Sequence, residues 1–225
     1  REMLFPVPEG TVRDVGYGTG LRLELAQFVD TYDELGAPTE FRSDVVLYDG
    51  EQPVRSQAVS VNHPMTYGSV TFYQSGFGPA AALRVTDATG ATVFDDIVEF
   101  TFQSRSNALA PAAVLDLPAQ GAKLELIFPS VNRDKAPEVG EVDIQYGEIY
   151  AQARDRRTNE ARGEAAVIAQ GQAASLGDLS VEFVRESRFA VFQVASNPGI
   201  PILFAASVLL VLALVVTFAF PHRRV

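Results

Sequence analysis

From Ile200 to Phe220 the chain reads IPILFAASVLLVLALVVTFAF, 21 residues without a charge and with only Ser207 and Thr217 as polar interruptions. At roughly 1.5 Å per residue an α-helix of this length measures about 31 Å, the thickness of the hydrocarbon core of a bilayer. Backbone groups in lipid must be paired within the segment, which an isolated strand or loop cannot do. The two hydroxyls can bond back to the preceding turn. Buried helices of soluble proteins seldom hold more than about 14 uninterrupted apolar residues. The expectation is therefore a membrane-spanning helix over 197–221, with Asn197 as N-cap and Pro198 at the first helical position, where a missing N–H costs nothing. His222-Arg223-Arg224 follow, and basic residues beside a helix end favour the cytoplasmic side. That assigns 222–225 to a cytoplasmic tail and 1–196 to an extracytoplasmic body. A Gram-positive sorting tail also ends in an apolar run and arginines, but the flank SNPGIP holds no LPxTG-like pentapeptide.

The body is acidic. Without Arg223 and Arg224 the chain has 16 basic residues against 28 acidic ones. Such a surface repels phosphate backbones, so nucleic acid is not an expected partner. Apolar residues make up 47% of the chain, enough for a packed core. With no cysteine there are no disulfides, thiolate metal sites or thiol redox chemistry in this chain. The chain starts at Arg1, in what reads as a mid-protein stretch, so it is expected to be a piece of a longer protein with further helices upstream.

Between residues 20 and 190, turn signals recur at short intervals and the pattern alternates with period two, which reads as strands. Leu21, Leu23 and Leu25 share one face and Arg22 and Glu24 the other, in a strand continuing towards Phe28 and Val29. Asp49-Gly50 predicts a hairpin with a type I′ turn or a bulged variant, and Asp87 to Gly90 form the tip of a second. Further strands fit KLELIFP, GEIYAQARD, EAAVIAQ and LSVEFVRESRFAVFQVA, while Ser104 to Leu117 and Pro129 to Gly140 read as loops. Many short strands without a long amphipathic helix point to a mainly β fold, an antiparallel sandwich or distorted barrel. The last strand is joined to the apolar helix by only SNPG, which holds the body close to the bilayer.

One segment stands out, running Val61-Asn62-His63-Pro64-Met65-Thr66-Tyr67-Gly68 and then Val70-Thr71-Phe72-Tyr73-Gln74-Ser75-Gly76-Phe77-Gly78. His63 could act as an axial haem ligand or titrate near neutral pH. Asn62-His63-Pro64 is also turn chemistry, because a residue before proline leaves the α region and Asn bonds its own backbone. With no paired ligand motif around it, the turn is the plainer reading. Tyr67, Phe72, Tyr73 and Phe77 form an aromatic run that serves either as core or as a contact patch. In a regular strand Phe72 and Tyr73 face opposite ways. Gly68, Gly76 and Gly78 read as sites of turns or bulges.

No nucleophile with a base, phosphate loop or metal-binding HExxH pair is found, so no catalytic and no metal-ligating residue is assigned. Asp95 and Asp96 are adjacent and face opposite sides of a strand, a poor acid/base pair. Arg154 to Arg157, RDRR, reads as a solvated strand end or loop.

The segment from Asn62 to Gly78, preceded by the strand pair that begins at Ser43 to Tyr48, resembles the signature of ResB-type cytochrome c biogenesis proteins. The closing strand, N-P-G joint, single apolar helix and H-R-R tail fit the same family, so the resemblance runs from Leu21 to Arg224. It implies a non-catalytic, polytopic membrane subunit in the bacterial plasma membrane. In that family a large extracytoplasmic domain precedes the last helix, and the protein acts with a CcsA-type partner to export haem and attach it to apocytochrome c. On that basis Asn62, His63, Pro64, Tyr67, Gly68, Phe72, Tyr73 and Gln74 are the motif residues, of partner-binding or structural use. Haem is handled by the complex, and His63 is the one residue here with ligand chemistry. The intramembrane histidine and the Trp-rich haem motif of this system have no counterpart in the chain. The other reading the residues allow is a single-pass, surface-anchored binding or adhesion module.

Overall fold

The computed structural model describes residues 2–16, 18–32, 38–104, 107, 110–129, 142–196 and 199–219. The strands are β1 (Glu2–Pro8), β2 (Thr11–Asp14), β3 (Leu21–Tyr32), β4 (Pro38–Asp49), β5 (Gln52–Ser60), β6 (Met65–Tyr67), β7 (Val70–Asp87), β8 (Thr92–Glu99), β9 (Phe102–Gln103), β10 (Pro111–Leu117), β11 (Ala122–Ile127), β12 (Glu148–Asp155), β13 (Ala166–Ala169), β14 (Gln172–Leu176) and β15 (Leu179–Ser196). One helix follows, α1 (Ile200–Ala219). All the ladders between these strands are antiparallel.

Three sheets form. The largest runs β1-β15-β7-β6, with β14 also on β15 and β8 also on β7; the others run β13-β12-β11-β10-β9 and β2-β3-β4-β5. Its spine is the pair β7 and β15, each 18 residues long. One end of the spine packs against the β9–β13 sheet around Leu83, Val85, Leu124, Leu126, Ile149, Val181 and Phe183. The other packs against the β2–β5 sheet around Leu23, Leu25, Val45, Leu47, Phe72, Phe192 and Val194.

Bulges let one strand serve both cores. On β15 the buried residues are odd-numbered at Leu179, Val181 and Phe183, and even-numbered at Ala190, Phe192 and Val194. The register slips between Phe183 and Arg185, and the extra residue reverses the parity. A second slip opposite Val191/Phe192 does the same for β7, so both cores lie on one face of the spine. The Leu21-Leu23-Leu25 alternation is likewise interrupted by a slip between Leu25 and Gln27, which turns Phe28 inward.

Local chemistry places most of these elements, with some corrections. The Asp49-Gly50 hairpin forms; Gly50 has positive φ, at 59°, and Glu51 does not, whereas type I′ needs two such residues, and a bulge lies at Leu47/Tyr48. At the second hairpin the Asp87 carboxylate accepts from the N–H of Thr89, its hydroxyl and the N–H of Ala91, closing the tip. The stretch expected as a loop from Ser104 to Leu117 contains the seven-residue strand β10. Ala113 and Leu117 face the core there, an alternation that small alanines hide, and Pro111 stands at the strand's first residue, where its missing N–H is tolerated. The loop expected from Pro129 to Gly140 lies almost wholly outside the described residues. Strand β1, with prolines at positions 6 and 8, pairs only with β15, as befits an edge.

In α1 the hydroxyls of Ser207 and Thr217 donate to the carbonyls of Leu203 and Ala213, each at 2.8 Å. Every side chain described on it, 203–218, is exposed. No helix among the described residues is long and apolar enough to cross a membrane. Asn197, Pro198 and 222–225 lie outside the described residues.

Candidate functional site

The motif from Asn62 to Gln74 is where the chain leaves the β2–β5 sheet and enters the spine sheet. After β5 the backbone turns at Val61-Asn62, and Ser60 and His63 close the turn with a pair of hydrogen bonds, N–H to O at 3.0 and 3.3 Å. The Ser60 hydroxyl lies 3.3 Å from His63 Nδ1. Asn62 and His63 are exposed and Pro64 half-buried. Asn62 and His63 border an open groove of about 570 Å³ whose other wall is Thr39, Glu40, Phe41 and Arg42.

Strand β6 would present a bare edge, since among the described residues it pairs only with β7. Two side chains of β5 cover it: Gln57 Nε2 donates to the Pro64 carbonyl at 3.1 Å and Arg55 Nη1 to that of Thr66 at 2.8 Å. Capping an edge in this way satisfies carbonyls that would otherwise recruit another strand. The β6–β7 connection is the two-residue turn Gly68-Ser69, with Gly68 at φ 58°.

The aromatic run divides by face. Phe72 is fully buried and Tyr67 half-buried against the same core, whereas Tyr73 is 41% exposed. Phe77 is 41% exposed yet stacks on Phe28 at 5.0 Å and Phe41 at 4.8 Å, closing the seam between the sheets. Gln74 is buried; its Oε1 accepts from the Ser43 hydroxyl at 2.5 Å, and its Nε2 donates to the Gly76 carbonyl at 2.9 Å. Ser43, the first residue of the segment expected to precede the motif, is completely buried on β4. A polar pair thus spans the apolar core and fixes one sheet against the other, because either partner alone would be an unsatisfied buried group.

Gly76 sits at the spine's bulge. Gly78 answers a different need: a Cβ there would come within 2.7 Å of the Phe189 ring. Asp95 and Asp96 do point apart, the first to Arg84 and the second to Arg13, each at 3.2 Å. The RDRR stretch is more ordered than a solvated strand end. Arg154 pairs with Glu125 at 2.6 Å, Arg156 with Asp116 at 2.8 Å, and Asp155 with Arg162 at 2.7 Å. N–H groups of Thr158 and Arg157 together with Arg162 hold the Asp155 carboxyl well below the usual carboxylate range. Arg162 Nη1 and Nη2 also donate to the carbonyls of Gln120 and Gly121, tying the β10–β11 turn to the β12–β13 connection. Nothing in the spacing of Asp116, Glu125 and Arg162 foretold these pairs, which the ladder registers create.

Among the described residues no group of three His, Cys, Asp or Glu is placed to hold a metal ion. The site's chemistry is that of a polar fastening between two sheets with an exposed imidazole at its rim.

The ResB-like family model matches residues 7–225. The chain is 25% identical over 191 residues to a cytochrome c biogenesis protein CcsB of Picosynechococcus sp. (strain ATCC 27264 / PCC 7002 / PR-6), covering 83% of this chain and 36% of that protein. It is 42% identical over 64 residues to the protein of the same name from Synechococcus sp. (strain RCC307), covering 28% of this chain and 15% of the relative. The chain therefore spans about a third or less of the length of these relatives. No solved structure matches it significantly. The family match over residues 7–225, nearly the whole length, makes this chain a member of the ResB-like family.

Proposed function

We propose that the chain is the C-terminal portion of a non-catalytic subunit for cytochrome c maturation, one that supports haem export and attachment to apocytochrome c beside a CcsA-type membrane partner. The family match carries this reading, since relatives over the same segment are named cytochrome c biogenesis proteins. Residues 1–196 form an extracytoplasmic body, 197–221 a membrane-spanning helix and 222–225 a cytoplasmic tail in the bacterial plasma membrane. Support comes from 21 consecutive uncharged residues that begin four positions after β15 ends. The motif residues Asn62, His63, Pro64, Tyr67, Gly68, Phe72, Tyr73 and Gln74 serve this role as structure and as contact surface: Gln74 fastens two sheets through Ser43, Phe72 fills the core, and the exposed Asn62, His63 and Tyr73 face a partner. His63 acts as a hydrogen-bonded turn residue, and haem is the cargo of the complex.

Deletion of the gene, followed by peroxidase staining for covalent haem, tests the assignment. Loss of all holocytochrome c with apocytochrome still made is expected, together with copurification of a CcsA-type protein from wild-type membranes. Normal haem attachment in a clean deletion overturns it and leaves the adhesion reading.

A further inference from the structure

The two cores lie on one face of the β7–β15 spine, and between them β15 carries charged residues on that face. Along that face β15 presents Phe183 to one core and Ala190 to the other, with Glu186 and Arg188 between, both exposed. The same stretch is where the sheet is narrowest. Strand β14 leaves β15 at Phe183 and β1 joins it only at Phe189; β6 leaves β7 at Phe72 and β8 joins it only at Ala80. At the pair Arg188 and Pro79 neither β1 nor β8 is in ladder register, and each flanking chain contributes one backbone bond, Glu9 N–H to the Arg188 carbonyl at 2.9 Å and Phe100 N–H to the Pro79 carbonyl at 3.1 Å. Pro79 has no N–H to give the ladder, and a bulge lies to either side, at Phe183/Arg185 and at Val191/Phe192. Behind the waist stands only the small cluster of Ala80, Ile97 and Phe189.

Polar links bridge this waist. Glu186 accepts from the N–H of Gly147, at the β12 end of the far sheet, at 3.0 Å, and Arg188 pairs with Asp30 on β3 of the near sheet. Arg13 on β2 reaches Asp96 on β8 directly, both half-exposed. Contacts of this kind are weak and screened by salt, in contrast to the apolar cores that hold each end together.

We infer that the molecule has a built-in hinge at residues 184–189 of β15 and 76–80 of β7. The lobe built on the β9–β13 sheet swings against the lobe built on the β2–β5 sheet, and the Arg13–Asp96 pair is its latch. The near lobe contains the end of β15 that leads to α1, so the far lobe is the moving part.

Spin-label pairs in the full-length protein in nanodiscs, in a background without other cysteines, test this by pulsed electron resonance. The inter-lobe pair is Val54→Cys with Val114→Cys, and the control within one sheet is Val12→Cys with Val54→Cys; all three sites are exposed. The inter-lobe distance distribution is expected to be broader than the control. Its mean shifts when sodium chloride is raised to about 1 M, where the screening length falls to about 3 Å, and shifts likewise in Arg13→Gln at low salt. An unchanged control distance in that variant shows that its near lobe is still folded. An inter-lobe distribution as narrow as the control, or one that neither salt nor Arg13→Gln moves, overturns the hinge.

Discussion

The hydroxyl of Ser43 and the amide of Gln74 are a polar pair inside an apolar core, and they carry more information than their size suggests. Removing one member leaves the other buried without a partner, at a cost of about 1–3 kcal/mol. Gln74→Leu is therefore expected to lower the unfolding free energy from urea titration by that amount, while Ser43→Ala combined with Gln74→Leu recovers much of the loss; equal unfolding free energies for the single and double variants contradict this. Gly78 is required by contact, since a Cβ would meet the Phe189 ring at 2.7 Å. Gly78→Val should cost about 1–3 kcal/mol through overpacking, read as a fall in Tm, and Phe189→Ala in the same chain should relieve part of it. Asp155 has a folded pKa below its unfolded value of about 3.9. Its contribution is present above that unfolded value and is lost as pH falls towards the folded one. The stability difference between the wild type and Asp155→Asn should hence be constant from about pH 6 to 8 and shrink below about pH 4, as followed by urea unfolding across pH.

At the scale of elements, hairpins were legible because their chemistry is local: Asp87 to Gly90 closes through one carboxylate, and Gly50 supplies the one positive φ its turn needs. Gly68, at φ 58°, belongs to the same class. Gly68→Ala should cost about 1–2 kcal/mol in a thermal melt, with Gly68→Asn closer to wild type, because only the left-handed backbone is at issue and no neighbour lies within 4 Å. Strands with large alternating side chains, β3, β11, β12 and β15, showed in the pattern. Strand β10 did not, since its inward Ala113 looks no different from a loop alanine, and β1 was hidden by two prolines that an edge position tolerates. The motif's turn was legible as a turn. That Arg55 and Gln57 cap the carbonyls beyond it was not, because those partners belong to a different strand and sheet.

For the whole molecule, the proposed membrane anchor makes a direct prediction. Val211→Arg places a charge near the middle of α1, where insertion costs about 2.5–3.5 kcal/mol. The variant should shift from the carbonate-resistant membrane fraction towards the soluble one, whereas a helix that never enters lipid would fractionate unchanged; for a multi-pass protein the expected sign is protease access to the helix. The mainly β character of the chain and the apolar helix after its last strand can be read from the amino-acid sequence alone. These rest on short-range chemistry: period-two alternation, turn residues, an uninterrupted apolar run. The two cores and the charged stretch between them emerge only from the folded arrangement, and the bulges explain why: the unpaired Val184 on β15 and Ser75 on β7 reverse which parity faces inward, so a single strand serves two cores that a regular alternation would have put on opposite faces.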